Sequence, residues 1–92
     1  MADQQTKEAT SLTCVVVSPD RTLFEGDVER ISVPGFYGEL AILPNHTPVY
    51  SELTKGDVIV WQKGKEQKVA IEAGLVRARD NNVTIVIGFE TD

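Results

Sequence analysis

Apolar positions in this chain recur at every second residue in short runs, each cut off by glycine, proline or a cluster of Asn and Asp. Residues 11–17 form a β-branched run that ends in the turn residues Ser18-Pro19-Asp20. Residues 22–25 make a brief second run that stops at Gly26. In residues 28–33, Ile31 and Val33 share one face, Arg30 and Ser32 take the other, and Pro34-Gly35 ends the pattern. Residues 39–43 are a nearly all-apolar segment held between Gly38 and Pro44; residues 49–53 follow, before a turn at 54–57. Val58-Ile59-Val60-Trp61 is apolar at every position, as a strand between two packed layers would be. A hairpin loop at Lys63-Gly64-Lys65-Glu66 leads into residues 69–73, where Val69, Ile71 and Ala73 are in phase. Gly74 marks a bulge or a corner. Val76 and Ala78 then oppose Arg77 and Arg79, Asp80-Asn81-Asn82 turns the chain, and residues 83–87 close it.

No window carries helical periodicity beyond a turn or two. Short strands with turn signals about every 8–12 residues predict an all-β sandwich or flattened barrel. A chain of 92 residues fits one domain. At this length folding buries only roughly 60–65% of the unfolded surface, so a single modest core is what it can support. The domain is expected over residues 11–88, after a polar tail at 1–10 and before a short tail at 89–92.

Charge narrows the function. The formal net charge is −5, and the basic residues are spread singly, which argues against nucleic acid, whose phosphates require gathered Lys and Arg. Lys63, Lys65 and Lys68 come nearest to a cluster, but Glu66 interrupts them, and they read as solubilising charges on a hairpin tip. The lone Cys14 excludes an internal disulfide and, within an apolar run, reads as a buried, inert thiol. One cysteine and one histidine cannot furnish an ordinary structural zinc site. No apolar stretch approaches the roughly 20 residues of a membrane span, and the N-terminus lacks a signal-peptide core. The Asn-x-Thr matches at Asn45 and Asn82 therefore have no force, and the chain reads as a protein of a reducing compartment.

The most informative stretch is GFYGELAILPNHTP, residues 35–48, which holds the only histidine of the chain. His46 is the obvious general base for an enzyme. Yet no nucleophile motif, Walker loop or His-x-x-x-His pair accompanies it, and the nearby Thr47 and Ser51 define nothing. Glu25, Asp27 and Glu29 alternate onto one face, where they could hold a cation or simply meet water. Neither pattern points to catalysis, to a cofactor or to a metal. An interface explains more. Gly35 and Gly38 permit a tight reversal, and Phe36 and Tyr37 sit at its tip. At least one ring is expected outside, as an interface anchor; the alternative is that both fold back as a lid on the core. Pro44 and Pro48 stiffen the segment around His46, which reduces the entropy lost on docking.

Gly38-Glu39-Leu40-Ala41-Ile42-Leu43-Pro44-Asn45-His46-Thr47-Pro48 resembles the Gly-Glu-Leu-Gly-Ile-Leu-Pro-x-His-x-Pro signature of the epsilon subunit of F-type ATP synthases. The resemblance continues in order through residues 16–24, 28–35, Lys55-Gly56 and 82–86, so it covers about residues 12–88. It implies a ten-stranded β-sandwich at the foot of the rotating central stalk, a non-catalytic part without a cofactor. Its implied partners are the gamma subunit and the c-ring, and its implied role is to help couple ion-driven rotation to ATP synthesis. It would be peripheral to the membrane, without inserting, on the cytoplasmic face or the equivalent face of an energy-transducing organelle. Carried over by position, Phe36, Tyr37, Gly38 and Glu39 would face the ring. Pro44, Asn45, His46, Thr47, Pro48, Val49 and Tyr50 would lie toward gamma.

Three departures stand out. Ala41 takes a position where the family usually has glycine, and Glu72-Ala73-Gly74 replaces its usual paired glycines. The family also continues into a C-terminal helical hairpin, which the residues after Gly88 are too few to form, so no braking and no ATP binding through such an arm are expected of this chain. The rival from another class is a stand-alone β-sandwich module that binds a ligand or peptide. Such a module needs several aromatics on one face, which six aromatic residues in all make hard to arrange.

Overall fold

A computed structural model describes residues 10–88. Nine strands follow one another: β1 (Leu12–Val17), β2 (Thr22–Val28), β3 (Arg30–Gly35), β4 (Gly38–Ile42), β5 (Val49–Leu53), β6 (Gly56–Gln62), β7 (Lys65–Ile71), β8 (Gly74–Arg79) and β9 (Asn82–Ile87). The architecture is all-β, as expected, with nine strands among the described residues where the resemblance implies ten. The hydrogen-bonded path runs β2-β1-β9-β8-β5-β3-β6-β7, with β4 on the free side of β3. All pairs are antiparallel except β1 with β9.

The path folds over on itself where β5 passes to β3 through the single register pair Gly35↔Leu53. One layer is then β2-β1-β9-β8-β5 and the other β4-β3-β6-β7. At the opposite side β2 touches β6 through Gln62 Nε2 donating to the Asp27 carbonyl at 2.8 Å, and Glu29 in the bend after β2 adds its N–H, donating to the Trp61 carbonyl at 2.7 Å. The result is a flattened barrel around one core. Leu12, Cys14, Val16, Val76, Val83 and Ile85 of the first layer meet Ile31, Val33, Ile42, Val58 and Val60 of the second, all at 1% exposure or less. The alternation in the sequence is thus the pleat, with every second side chain turned inward.

The strands differ from the sequence reading in four places. β2 runs through Gly26 to Val28, because pairing with all of β1 outweighs the weak strand preference of glycine. β6 buries only Val58 and Val60; Ile59 and Trp61 face outward and are half-buried by neighbours, with the Arg30 guanidinium 4.1 Å from the Trp61 ring centre. No second layer covers that face among the described residues. β7 begins at Lys65, so the hairpin loop shrinks to Lys63-Gly64, and Ala73 lies exposed beyond its end instead of in phase with Ile71. Glu29 falls in the bend between β2 and β3, off the face that carries Glu25 and Asp27.

Cys14 is 0% exposed, and burial pushes its thiol up to about 12 from 9.0. The charged thiolate is what burial disfavours. Because the folded value is the raised one, this group's stability contribution is complete below the unfolded value. It is lost as pH climbs from about 9 toward about 12. At pH 8, alkylation by iodoacetamide is therefore expected to proceed only through unfolding, its rate rising with denaturant in step with loss of structure. Rapid modification of the folded protein would contradict this packing.

Candidate functional site

Residues 35–48 build two surfaces at opposite ends of β4. At the start of β4, the β3–β4 hairpin closes on Gly35↔Gly38 and leaves Phe36 and Tyr37 as its two-residue tip. Gly35 has no room for a side chain, since a Cβ there would lie 2.6 Å from the Gly38 carbonyl oxygen; Gly38 adopts φ +133°. The tip backbone is held by β5: Phe36 N–H donates to the Glu52 carbonyl at 3.0 Å, and Thr54 N–H donates to the Pro34 carbonyl at 2.8 Å. Both rings stand outside, Phe36 at 60% and Tyr37 at 97% exposure, and they pack edge to face with centres 5.1 Å apart. The lid alternative is therefore wrong for both residues. Neither ring is among the side chains packed against the core.

Glu39 follows on β4. Its carboxylate oxygen accepts from Ser32 Oγ at 2.8 Å, so the residue is exposed yet tied to β3.

At the other end, roughly 15 Å along the strand, residues 43–48 form a turn and a short link to β5. His46 N–H donates to the Leu43 carbonyl at 3.1 Å, with Pro44 and Asn45 between them and Asn45 at φ +67°. Proline followed by a positive-φ residue is the pattern of a type II turn. Asn45 N–H donates to Asn81 Oδ1 at 2.6 Å, and the Asn81 carbonyl accepts from Thr13 N–H at 2.9 Å. Asn81, in the β8–β9 turn, thus fastens the histidine loop to the body. The sequence reading gave Asn81 only a place in a turn; its signal was the Asn pair, and its partner lies 36 residues away.

Asn45, His46, Thr47 and Pro48 are exposed and Pro44 is half-buried. Val49 packs against the core, whereas Tyr50, the next residue, turns outward at 74% exposure and sits opposite Arg77 of β8. The seven residues expected toward one partner therefore divide between an end loop and an outer sheet face. His46 Nδ1 lies 2.7 Å from the Thr47 carbonyl oxygen, a contact in which the ring N–H donates. Ser51 Oγ donates to the Glu52 carbonyl at 3.1 Å and not to His46. A hollow of about 690 Å³ lies elsewhere, between the end of β2 and the β6–β7 hairpin. Among the described residues no three His, Cys, Asp or Glu side chains are grouped to hold a metal. Asp27 accepts from Thr13 Oγ1 at 3.2 Å, and Glu29 from the Lys63 N–H at 3.1 Å. What this arrangement offers is shape: a rigid aromatic tip and a stiff loop on one body.

Comparison with known proteins gives a consistent result. The sequence model described as "ATP synthase, Delta/Epsilon chain, beta-sandwich domain" matches residues 11–88. An ATP synthase epsilon chain of Pelotomaculum thermopropionicum is 41% identical over 71 residues, covering 77% of this chain and 53% of that one. One from Desulfitobacterium hafniense is 38% identical over 78 residues, covering 85% of this chain and 59% of that one. The chain thus spans somewhat more than half the length of these relatives. Among solved structures, a chain of the Euglena gracilis mitochondrial ATP synthase, in a structure that includes the c-ring, superposes with TM-score 0.82 at 20% identity. It covers 88% of this chain and 52% of that one. A chain of the Tetrahymena thermophila central stalk and c-ring gives 0.73 at 17%, covering 94% and 69%. At these identities the structures speak for the fold.

Proposed function

This chain belongs to the delta/epsilon-chain β-sandwich family of ATP synthases, and from that membership we propose that it is a non-catalytic central-stalk part joining the gamma subunit to the c-ring. The tip formed by Phe36, Tyr37 and Gly38, with Glu39 beside it, faces the ring. Residues 44–48 and Tyr50 face gamma. In this role the protein helps couple ion-driven rotation to ATP synthesis. It is peripheral to the membrane, on the cytoplasmic face or the equivalent organelle face. Among the described residues no helix is long and apolar enough to cross a membrane.

The observation that carries this reading is the tip: two exposed aromatic rings on a backbone pinned to β5. Exposed aromatics on a stiff element are costly to leave in water and lose little entropy when covered. A part that transmits torque needs contacts of this kind at both ends and a body that does not flex between them. The sheet of the described residues, folded around one core, supplies that body.

The test is co-elution of the purified chain with the gamma subunit from its own source. A stable complex is expected, and His46→Ala should weaken it about tenfold or less while leaving the melting temperature unchanged, because the ring makes only the local contact with Thr47. Failure of the unaltered chain to bind gamma would remove the proposal.

A further inference from the structure

We propose that Arg77 and Arg79 on β8, with Tyr50 beside them, form a cationic anchor that receives carboxylate side chains of the gamma subunit. This rests on the stalk reading above and names the chemistry of the partner surface.

The argument begins with register. β8 is an interior strand, paired with β5 on one side and β9 on the other. Val76 and Ala78 point into the core, so Arg77 and Arg79 must project from the outer face. Arg77 lies level with Tyr50 on β5 and with Thr84 on β9; Arg79 is level with Asn82. Two shallow hollows flank the arginines. One, about 260 Å³, is lined by Tyr50, Arg77 and Arg79 with Pro48 and Val49. The other, about 330 Å³, has Arg77 and Arg79 with Asp80, Asn82 and Thr84. Both guanidinium groups thus border concave surface on either side of their strand.

Charge points the same way. The chain carries a net charge of −5, and against it Arg77 and Arg79 place two positive charges on one strand, with Asp80 as the neighbouring carboxylate. Among the described residues Arg77 has no carboxylate within ion-pair distance, and Arg79 has only an exposed contact with its neighbour Asp80 at 3.7 Å. Such a contact contributes little in water and yields readily to a better partner. Lysines on β7 serve as the contrast: Lys68 pairs with Glu66 at 4.0 Å on an edge strand, and a lysine is a flexible, hydrated point charge. A guanidinium presents a planar fork that matches a carboxylate. Arginine and tyrosine are also the residue types that anchor interfaces. The surface runs directly into the loop at residues 44–48, so a partner covering that loop meets the arginines next.

The test measures binding of gamma from the same source to the unaltered chain, to an Arg77→Gln/Arg79→Gln variant and to a Lys65→Gln/Lys68→Gln variant that loses the same charge elsewhere. The arginine variant is expected to bind about tenfold or more weakly, with a shallower dependence on salt and an unchanged melting temperature. The lysine variant should bind within about twofold of the parent. Equal binding by the arginine variant would overturn the anchor while leaving the stalk reading intact, as would an equal loss in the lysine variant. No binding of gamma by the unaltered chain would overturn both. Inorganic pyrophosphate binding to the chain, abolished by the arginine substitutions, would reassign the site to a small anion.

Discussion

Replacing Gly74 by alanine is expected to destabilise the fold by about 2–3 kcal/mol and to lower its melting temperature by about 10–20 °C. Gly74 opens β8 and is buried. A Cβ there would stand 2.6 Å from the Val86 carbonyl oxygen and 3.1 Å from Ile87 Cγ2, and neither is the free end of a flexible side chain. Strand backbone must therefore move. The movement would spread, because Gly74 is level with Ile87 on one side and Leu53 on the other, and Leu53 is level with Gly35. That row crosses four strands and joins the two layers. Ala70→Ser, on the exposed face of β7, is the control and should stay within about 0.5 kcal/mol. A melting temperature for Gly74→Ala within 3 °C or so of the parent would show that the row has slack.

How far the sequence disclosed this fold follows from which residues decide each element. β5 was legible at both ends because Pro48 precedes it and the Thr54-Lys55-Gly56 turn follows. β8 was legible because buried Val76 and Ala78 alternate with arginines. β7 was not: Lys65, Glu66, Gln67 and Lys68 are all exposed, and they form a strand only because β6 pairs with every one of them. Tertiary pairing, absent from the local pattern, decides such an edge. The outward face of β6 misled for a related reason. Ile59 and Trp61 look like core residues in sequence, yet the partner Trp61 finds is Arg30, its register neighbour.

The candidate site divides in the same way. The glycines and prolines of residues 35–48 announced a shaped loop, since their backbone preferences are local. Whether Phe36 and Tyr37 pointed in or out was not local; it depended on which side chains the folded core takes in. Arg77 was least visible of all. In the sequence it shows only as the polar side of an alternation with Val76 and Ala78, and only the register of β5 against β8 puts Tyr50 beside it.

The last expectation concerns the tip. Phe36→Ala/Tyr37→Ala should weaken the proposed docking to a c-ring by about thirtyfold or more, the scale of two exposed aromatic anchors. It should leave the melting temperature nearly unchanged, because the rings touch each other and contribute nothing to the core. Glu39→Lys is expected to be less clean. It removes the acceptor of Ser32 Oγ, a partly buried contact, and so should cost about 1 kcal/mol of stability in addition to docking. The two variants therefore separate surface from scaffold: one loses binding alone, the other loses binding and some stability. If removing both rings lowered the melting temperature while the reconstituted rotor assembled normally, the tip would be a brace for the β3–β4 hairpin, and the ring contact would have to be sought on another edge of the barrel. If both variants docked like the parent and melted like it, the exposed rings would have no part in assembly.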